Sequence, residues 1–182
     1  MLKQYPSQIS IETFHGCNAR CTFCHVNEWT RTAGEMKDEI FEKIIFQIKP
    51  WAKKYVKQTS LMLNGEPLYD KKLEKRIQIC KEAGIPNVGF TTNAALFNEK
   101  RIESVVNSDP DYIVFSFDTL KKQDYENGRL RLKYDKVKNN IISLIKFRNA
   151  KKSKIRIVVR HIDLKGDQKD FLKYLDFFQK LL

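Results

Sequence analysis

The sequence has few glycines and prolines and no long apolar run. Its seven glycines and five prolines, among 182 residues, form no linker, repeat or low-complexity segment. No apolar run approaches the length that spans a membrane, and residues 1–8 lack the apolar stretch of a signal peptide. With 42% hydrophobic and 31% charged residues, the composition is that of a globular protein. We therefore expect a single soluble domain over residues 1–182, without a membrane partner.

Cysteine is also scarce, but three of the four cysteines lie within eight residues. Cys17, Cys21 and Cys24 follow the spacing C-x3-C-x2-C, directly after a segment of alternating polarity. Three thiols cannot all pair as disulfides, and the fourth cysteine, Cys80, is far along the chain. Such close spacing directs three thiolates from one loop to a single soft-metal centre.

Two kinds of metal centre are compatible with this loop. A structural zinc site usually has four ligands, and the fourth would have to be His15, His25 or the distant Cys80. Three thiolates with an open fourth position fit an iron–sulfur cluster in which one iron is left for an exogenous ligand. A tight cluster of free thiols also predicts a reducing compartment, the cytoplasm.

The formal net charge is +12, from 34 basic and 22 acidic residues. One interpretation is an anionic partner such as nucleic acid, a phosphorylated substrate or an acidic protein. The basic residues are dispersed in short pairs such as Lys71-Lys72 and Lys151-Lys152, and no nucleic-acid motif accompanies them. We therefore favour solvated lysine-rich helix faces and do not expect nucleic acid as a partner.

Segments with the pattern of strands alternate with segments of helical periodicity. The alternation predicts an α/β fold with parallel strands. Periodicity leaves an open doubly wound sheet and a curved partial barrel as alternatives, and both place functional residues at C-terminal strand ends. The predicted strands are Gln8–Phe14, Ser60–Leu63, Asn87–Thr92, Tyr112–Phe117 and Lys154–Arg160. The first predicted helix begins near Lys37 and breaks or kinks at Pro50. Three further helices are predicted over Lys72–Ala83, Glu99–Val106 and Val137–Arg148. A last helix has Phe171, Leu172, Leu175 and Phe178 on one face.

The cysteine spacing, with the aromatic Phe23 before the third cysteine and Asn18 after the first, resembles the signature of radical S-adenosylmethionine (radical SAM) enzymes. In that family three cysteines hold a [4Fe–4S] cluster, and SAM chelates the fourth iron. The reduced cluster cleaves SAM to methionine and a 5′-deoxyadenosyl radical, which abstracts hydrogen from a substrate. The resemblance implies SAM and the cluster as cofactors, an external electron donor, and metal ligation by Cys17, Cys21 and Cys24.

Four later segments extend the resemblance from residue 9 to about residue 160. Asn64-Gly65-Glu66-Pro67 resembles the family's Gly-Gly-Glu-Pro, which contacts the SAM amino group, with asparagine in place of the first glycine. Asn93 ends a segment similar to the family's Thr-Asn-Gly. These likenesses imply cofactor-binding roles for Asn64, Gly65, Glu66 and Asn93.

The remaining two segments follow the fourth predicted strand. Ser116 and Asp118 resemble the family's Ser-x-Asp, in which the serine contacts SAM and the aspartate lies near the site, which implies cofactor-binding roles for both. Tyr125 to Arg129 resembles its Tyr-Glu-x-x-Arg, which implies that Arg129 pairs with the SAM carboxylate. Phe23 is expected over the adenine. By itself, Arg129 would be read as a solvated loop residue.

Four further residues are weaker candidates, because no sharp motif includes them. Arg160 and His161 end the fifth predicted strand and could face the cofactor or the substrate. His25 follows the third cysteine and could pack beside the cluster, although a lone histidine is more often a satisfied polar group. Cys80, at helical spacing with Ile77, is expected to be a small core residue.

The resemblance implies a partial (β/α) barrel of about five β/α units, with the family's sixth unit missing or truncated. We expect either a shortened chain or a compact member whose open barrel a partner chain closes. The Tyr-Glu-x-x-Arg segment is typical of members with cysteine-rich, SPASM-type C-terminal extensions, absent here, and mildly favours an unidentified peptide, protein or small-metabolite substrate. The alternative hypothesis is a non-catalytic, metal- or cluster-stabilised basic module that binds nucleic acid or an acidic partner.

Overall fold

The computed structural model describes residues 5–162 and 168–182. Five parallel strands form a central sheet, and two short antiparallel pairs flank it. The strands are β1 (Gln8–Ser10), β2 (Phe14–His15), β3 (Arg20–Cys21), β4 (Gly34–Glu35), β5 (Gln58–Ser60), β6 (Val88–Thr92), β7 (Tyr112–Ser116), β8 (Arg129–Leu130) and β9 (Arg156–Arg160). The helices are α1 (Asp38–Tyr55), α2 (Leu73–Glu82), α3 (Glu99–Asn107), α4 (Lys122–Gly128), α5 (Tyr134–Ala150) and α6 (Gln168–Gln179).

The order of the sheet, β1-β5-β6-β7-β9, follows the order of its strands along the chain. A doubly wound sheet reverses direction at a switch point, where the strand order turns back. Here each new strand adds to the same edge, as in a (β/α) barrel. The expected partial barrel of five β/α units is confirmed, and within the described residues β9 pairs with a strand on one side only.

Alternating residues of each strand face the inside of the curved sheet, opposite the helices. On this inner face Tyr112 crosses Gly89, its partner in the register of β6 and β7. A Cβ on Gly89 would lie 2.2 Å from the Tyr112 carbonyl oxygen and 2.6 Å from its ring. The Tyr112 hydroxyl donates to the carbonyl of Thr59 over 3.1 Å. The tyrosine ring thus spans β5 to β7 on the inner face, and Gly89 makes room for it.

This packing predicts that Gly89→Ala destabilises the fold by about 1–3 kcal/mol or more, because the backbone of β7 must shift to admit a methyl group. Gly34→Ala is a matched control, since a Cβ there meets nothing within 4 Å. The free energies of unfolding in urea measure both effects. Equal stabilities of the two variants would contradict the proposed close approach.

The outer face packs against the helices through an aromatic group behind the strand ends. The Phe117 ring centroid lies 5.0 Å from that of Tyr125 and 5.5 Å from that of Tyr134. From α6, Phe178 meets Phe117 edge-on at 6.0 Å. All four side chains are buried.

Within the described residues, no helix combines the length and apolar character needed to cross a membrane.

Two predicted strands differ from the observed ones by three residues or more at one end. The strand predicted over Gln8–Phe14 ends at Ser10, because the backbone beyond turns away: the Thr13 carbonyl accepts from the N–H of Met36 over 2.9 Å, beside the β2–β4 pair. The strand predicted over Ser60–Leu63 is shifted, since β5 covers Gln58–Ser60. The prediction relied on the apolar character of this segment, but an apolar residue need not be buried: Leu63 is 58% exposed.

Two helix predictions are also corrected. The first helix is predicted to break or kink at Pro50, and a break is wrong, because α1 continues through Pro50 to Tyr55. Pro50 lies on the exposed side of the helix, where water can bond the carbonyl that loses its N–H partner.

Of the four residues predicted to share one face of the last helix, only Phe178 is buried. Leu172 is 59% exposed, and Phe171 and Leu175 are also exposed. Tyr174 turns inward instead, because its hydroxyl donates to the carbonyl of Phe117 over 2.7 Å.

Candidate functional site

The three clustered cysteines lie on the segment that follows β2, at the C-terminal ends of the sheet strands, and Cys21 is the second residue of β3. Cys17 is half-buried, Cys21 is buried and Cys24 is exposed, and all three are free thiols. They line one cavity together. The structure therefore brings together the three sulfur atoms that the sequence motif singled out.

A short antiparallel pair, β3 with β8, ties this loop to the segment that follows α4. Thr22 donates its backbone N–H to the carbonyl of Gly128 over 2.9 Å. Cys24 donates its N–H to the carbonyl of Cys21 over 3.1 Å and closes a tight turn around Phe23. The pair sets the second cysteine directly opposite Arg129.

The environments of Cys17 and Cys21 disfavour the charged forms of these two thiols unless a cation is near. Burial raises the pKa of Cys17 to about 11. Burial also raises the pKa of Cys21, and the nearby guanidinium of Arg129 opposes that rise. A metal centre supplies the positive charge that thiolates at these positions require.

The Asn64-Gly65-Glu66 segment packs directly against the start of the cysteine loop. Gly65 has φ +89°, and a Cβ there would lie 2.6 Å from the carbonyl oxygen of Gly16. The same oxygen accepts from the backbone N–H of Glu66 over 2.8 Å. Asn64 is not among the residues with positive φ. Asparagine therefore fits at this position, where the family that the sequence resembles has glycine.

Glu66 is fully buried and binds the end of the neighbouring strand β6. Its Oε1 accepts from the Thr92 hydroxyl over 2.5 Å and from the Leu68 N–H over 3.2 Å, and its Oε2 accepts from the Asn93 N–H over 2.8 Å. Burial raises the pKa of Glu66 to about 7, although these donors oppose the rise. The side chain thus joins the loop after β5 to the loop after β6.

We expect Glu66→Gln to destabilise the protein by about 1–3 kcal/mol, because either orientation of the amide turns its NH2 group toward a backbone N–H, of Leu68 or of Asn93. The exposed Glu103 provides a control, Glu103→Gln, which should leave the stability unchanged. Urea unfolding measures both. An unchanged midpoint for Glu66→Gln would mean that the carboxylate network contributes nothing.

Asn93 links the end of β6 to the first cysteine. Its amide Nδ2 donates to Asn18 Oδ1 over 2.8 Å and approaches Cys17 Sγ at 3.8 Å. The next residue, Ala94, has φ 61°. This left-handed conformation explains why glycine is common at the matching position of the family that the sequence resembles.

Arg129 and Asp118 form a buried ion pair beside the second cysteine. Arg129 Nε donates to Asp118 Oδ2 over 2.5 Å, and Nη2 donates to Oδ1 over 2.9 Å. Nη1 points to Cys21 Sγ at 3.7 Å. Burial lowers the pKa of Arg129, but the bonded Asp118 more than offsets this, and the pKa stays above its usual value. Reading Arg129 as a solvated loop residue is therefore wrong.

A cavity of about 310 Å³ opens at these strand ends. Its wall includes Ser116 at the end of β7 and Phe23 from the cysteine loop. The guanidinium of Arg129 lies over the Phe23 ring, 5.3 Å from its centroid. Of the predicted site residues, Cys17, Cys21, Cys24, Phe23, Asn64, Gly65, Glu66, Asn93, Ser116 and Arg129 line the cavity, and Asp118 does not.

The cavity also contains residues that the sequence pattern did not identify. Trp29, Met62 and Ile162 line it, and only their position after a strand or after the cysteines could have suggested them. Of the weaker candidates, Arg160 lines the cavity, whereas His161 packs against Phe171 and Tyr174 on α6.

The two other weak candidates have different outcomes. His25 lines the cavity, but its side chain is 86% exposed and its Nδ1 lies 3.0 Å from Glu28 Oε2. Cys80 is fully buried in the core, as expected, and burial raises its pKa to about 12.

The donor set fits an iron–sulfur cluster. Among residues 5–162 and 168–182, no three His, Cys, Asp or Glu side chains meet closely enough to hold a single metal ion. A cluster with three protein ligands instead binds each thiolate to a different iron. The N–H groups of Asn93 and Arg129 already point at two of the sulfurs, as hydrogen-bond donors to cluster ligands do.

Known proteins share both the sequence pattern and the fold. The sequence model of the Radical SAM superfamily matches residues 11–178. The chain is 32% identical over 112 residues to the probable GTP 3′,8-cyclase of Methanococcus vannielii, covering 60% of this chain and 36% of that protein. It is 26% identical over 164 residues to molybdenum cofactor biosynthesis protein 1 of Dictyostelium discoideum, covering 90% of this chain and 25% of that protein. The chain thus spans about a quarter to a half of the curated relatives it matches.

Solved structures show the same architecture. Streptococcus suis SuiB bound to S-adenosylmethionine superposes with a TM-score of 0.75 at 25% identity, covering 95% of this chain and 38% of that chain. Methylornithine synthase superposes with a TM-score of 0.68 at 14% identity, covering 95% of this chain and 50% of that chain, and shares the fold.

Proposed function

Because the chain belongs to the radical SAM superfamily, we propose that it is the core of an enzyme that uses a [4Fe–4S] cluster to cleave SAM. When bound and reduced, the cluster supplies the electron that divides SAM into methionine and a 5′-deoxyadenosyl radical, which abstracts hydrogen from the substrate. The observation that carries the proposal is the convergence of three free thiols on one cavity with the Arg129–Asp118 pair.

The three cysteines have the role of cluster ligands and leave one iron for the cofactor. The backbone of Gly65 lies against the start of the cysteine loop and Asn64 lines the cavity, which supports a role for this segment in binding the SAM amino group. Gly65 has φ +89°, a conformation that glycine adopts without strain.

Arg129, Ser116, Asn93 and Phe23 form the remaining proposed SAM contacts, since all four line the cavity. With Nε and Nη2 bonded to Asp118, Arg129 has the two N–H groups of Nη1 left, one directed at Cys21 Sγ and the other for the SAM carboxylate. Phe23 is 37% exposed and offers its ring to the adenine.

Glu66 and Asp118 act as positioning residues in this scheme. Both carboxylates are buried and already bonded within the protein, Glu66 to Thr92 and Asn93, and Asp118 to Arg129. Their contribution is to fix the groups around the cofactor. A fixed, enclosed site also keeps water from a reactive carbon radical.

The substrate class is a peptide, a protein or a small metabolite. By their names, some relatives act on GTP, and one SuiB structure is bound to a precursor peptide. An external electron donor must reduce the cluster. The free thiols support a reducing compartment, and on that ground we propose the cytoplasm. A partner chain over the open side of the barrel stays a prediction.

Anaerobic reconstitution followed by reduction with dithionite tests the proposal. The protein should convert SAM to 5′-deoxyadenosine and methionine, measured by liquid chromatography, even without the substrate. The same assay on Cys21→Ala should give only background. If the wild-type protein holds a cluster but forms no 5′-deoxyadenosine, the catalytic part of the proposal is wrong.

A further inference from the structure

Arg160 ends β9 at the open edge of the sheet. Its backbone is fixed, because it pairs in register with Ser116 and its carbonyl accepts from the Phe117 N–H over 3.2 Å. Residues that pair in register on neighbouring strands share a face of the sheet, so Arg160 points to the same inner side as Ser116. Both residues line the cavity. The side chain of Arg160 is exposed.

The guanidinium of Arg160 differs from the other charged groups of the cavity. Arg129 is bonded to Asp118, His25 pairs with a neighbouring glutamate, and the buried carboxylate of Glu66 accepts three hydrogen bonds. No carboxylate among the described residues pairs with Arg160. With respect to residues 5–162 and 168–182, Arg160 is therefore the cation of this cavity whose donors remain available to a ligand.

The surroundings of Arg160 suit the entry of a substrate. The nearby Ile162 is 36% exposed and lines the cavity together with Trp29 and Met62. Within the described residues, no strand covers the outer edge of β9. Arg160 thus lies between an apolar cavity wall and the open edge, where a ligand can enter beside bound SAM.

We propose that Arg160 binds an anionic group of the substrate, a carboxylate or a phosphate, and so selects substrates that carry one. A guanidinium binds either group through two parallel hydrogen bonds, and an apolar wall strengthens such bonds by excluding water. The inference rests on the proposed function, because it assigns SAM to the Arg129 side of the cavity and the substrate to the β9 side.

Titration calorimetry with two probes, inorganic pyrophosphate and glutarate, tests the proposal on the reconstituted protein with SAM bound. We expect Arg160→Gln to weaken binding of the preferred probe about 10-fold or more, the loss typical of a charge-assisted contact. The affinity for SAM should change less than about 2-fold. The stronger probe distinguishes a phosphate-bearing from a carboxylate-bearing substrate.

Arg156→Gln is the matched control. Arg156 lies on the same face of the same strand and is also exposed, but it does not line the cavity, and it packs on the Tyr112 ring. Equal weakening by both variants would show a general charge effect and would overturn the proposal. So would the failure of both probes to bind the wild-type protein, or a SAM affinity that falls with Arg160→Gln.

Repeating the titration without SAM separates this inference from the proposed function. If the wild-type protein does not bind SAM, the proposed function fails. If Arg160→Gln then weakens binding of a probe, the anion site is still established. If the variant binds the probe as tightly as the wild type does, the proposed anion site is wrong.

Discussion

Replacing Cys21 by alanine is expected to abolish the cluster, whereas Cys80→Ala leaves it intact. Reconstituted wild-type protein and Cys80→Ala should each hold about four irons and four sulfides per chain, and Cys21→Ala fewer than about one. The reason is that three thiolates anchor such a cluster, and Cys80, the remaining thiol of the chain, is buried in the core and cannot replace a missing one.

Iron and sulfide analysis with the visible absorption spectrum measures this difference. Cys80→Ala is a matched control because it also removes a thiol, and circular dichroism shows whether each variant is folded. Equal iron content in the two variants would mean that the cysteine loop does not hold the metal.

Asp118→Asn is expected to have the second largest effect. It removes the negative charge that pairs with Arg129, whose side chain is only 7% exposed. An unpaired buried cation costs about 3–5 kcal/mol, so the free energy of unfolding should fall by that order. The guanidinium should also lose its orientation beside Cys21, and we expect SAM to bind at least about 10-fold more weakly.

Asp176→Asn is the control for this substitution. Asp176 pairs with Lys180 on the surface of α6, and both side chains are more than half exposed. Surface pairs contribute little, so urea unfolding and SAM binding should match the wild type. If Asp118→Asn were as stable as Asp176→Asn, the buried pair would not organise the site.

The sequence predicts the alternation of parallel strands and helices and the end of the sheet at which the site lies, because both depend on local signals, whereas the strand order is implied only by the family resemblance. Parallel strands separated by helices bring every C-terminal strand end to one edge, and the cysteine spacing indicates the chemistry. Gly65 and the cysteines are therefore recognisable from their neighbours alone.

Tertiary contacts decide the rest. The β3–β8 pair is too short to leave a pattern, so neither its existence nor the burial of Arg129 follows from residues 125–131. On α6, the apolar stripe that includes Leu172 does not mark the buried face, since the bond from Tyr174 to Phe117 orients the helix.

The electron paramagnetic resonance spectrum of the reduced, reconstituted protein, recorded with and without SAM, tests the central claim most directly. The account predicts the signal of a [4Fe–4S]⁺ cluster that changes when SAM is added, because SAM binds the iron that no cysteine occupies. A signal indifferent to SAM, or zinc in place of iron, would contradict it.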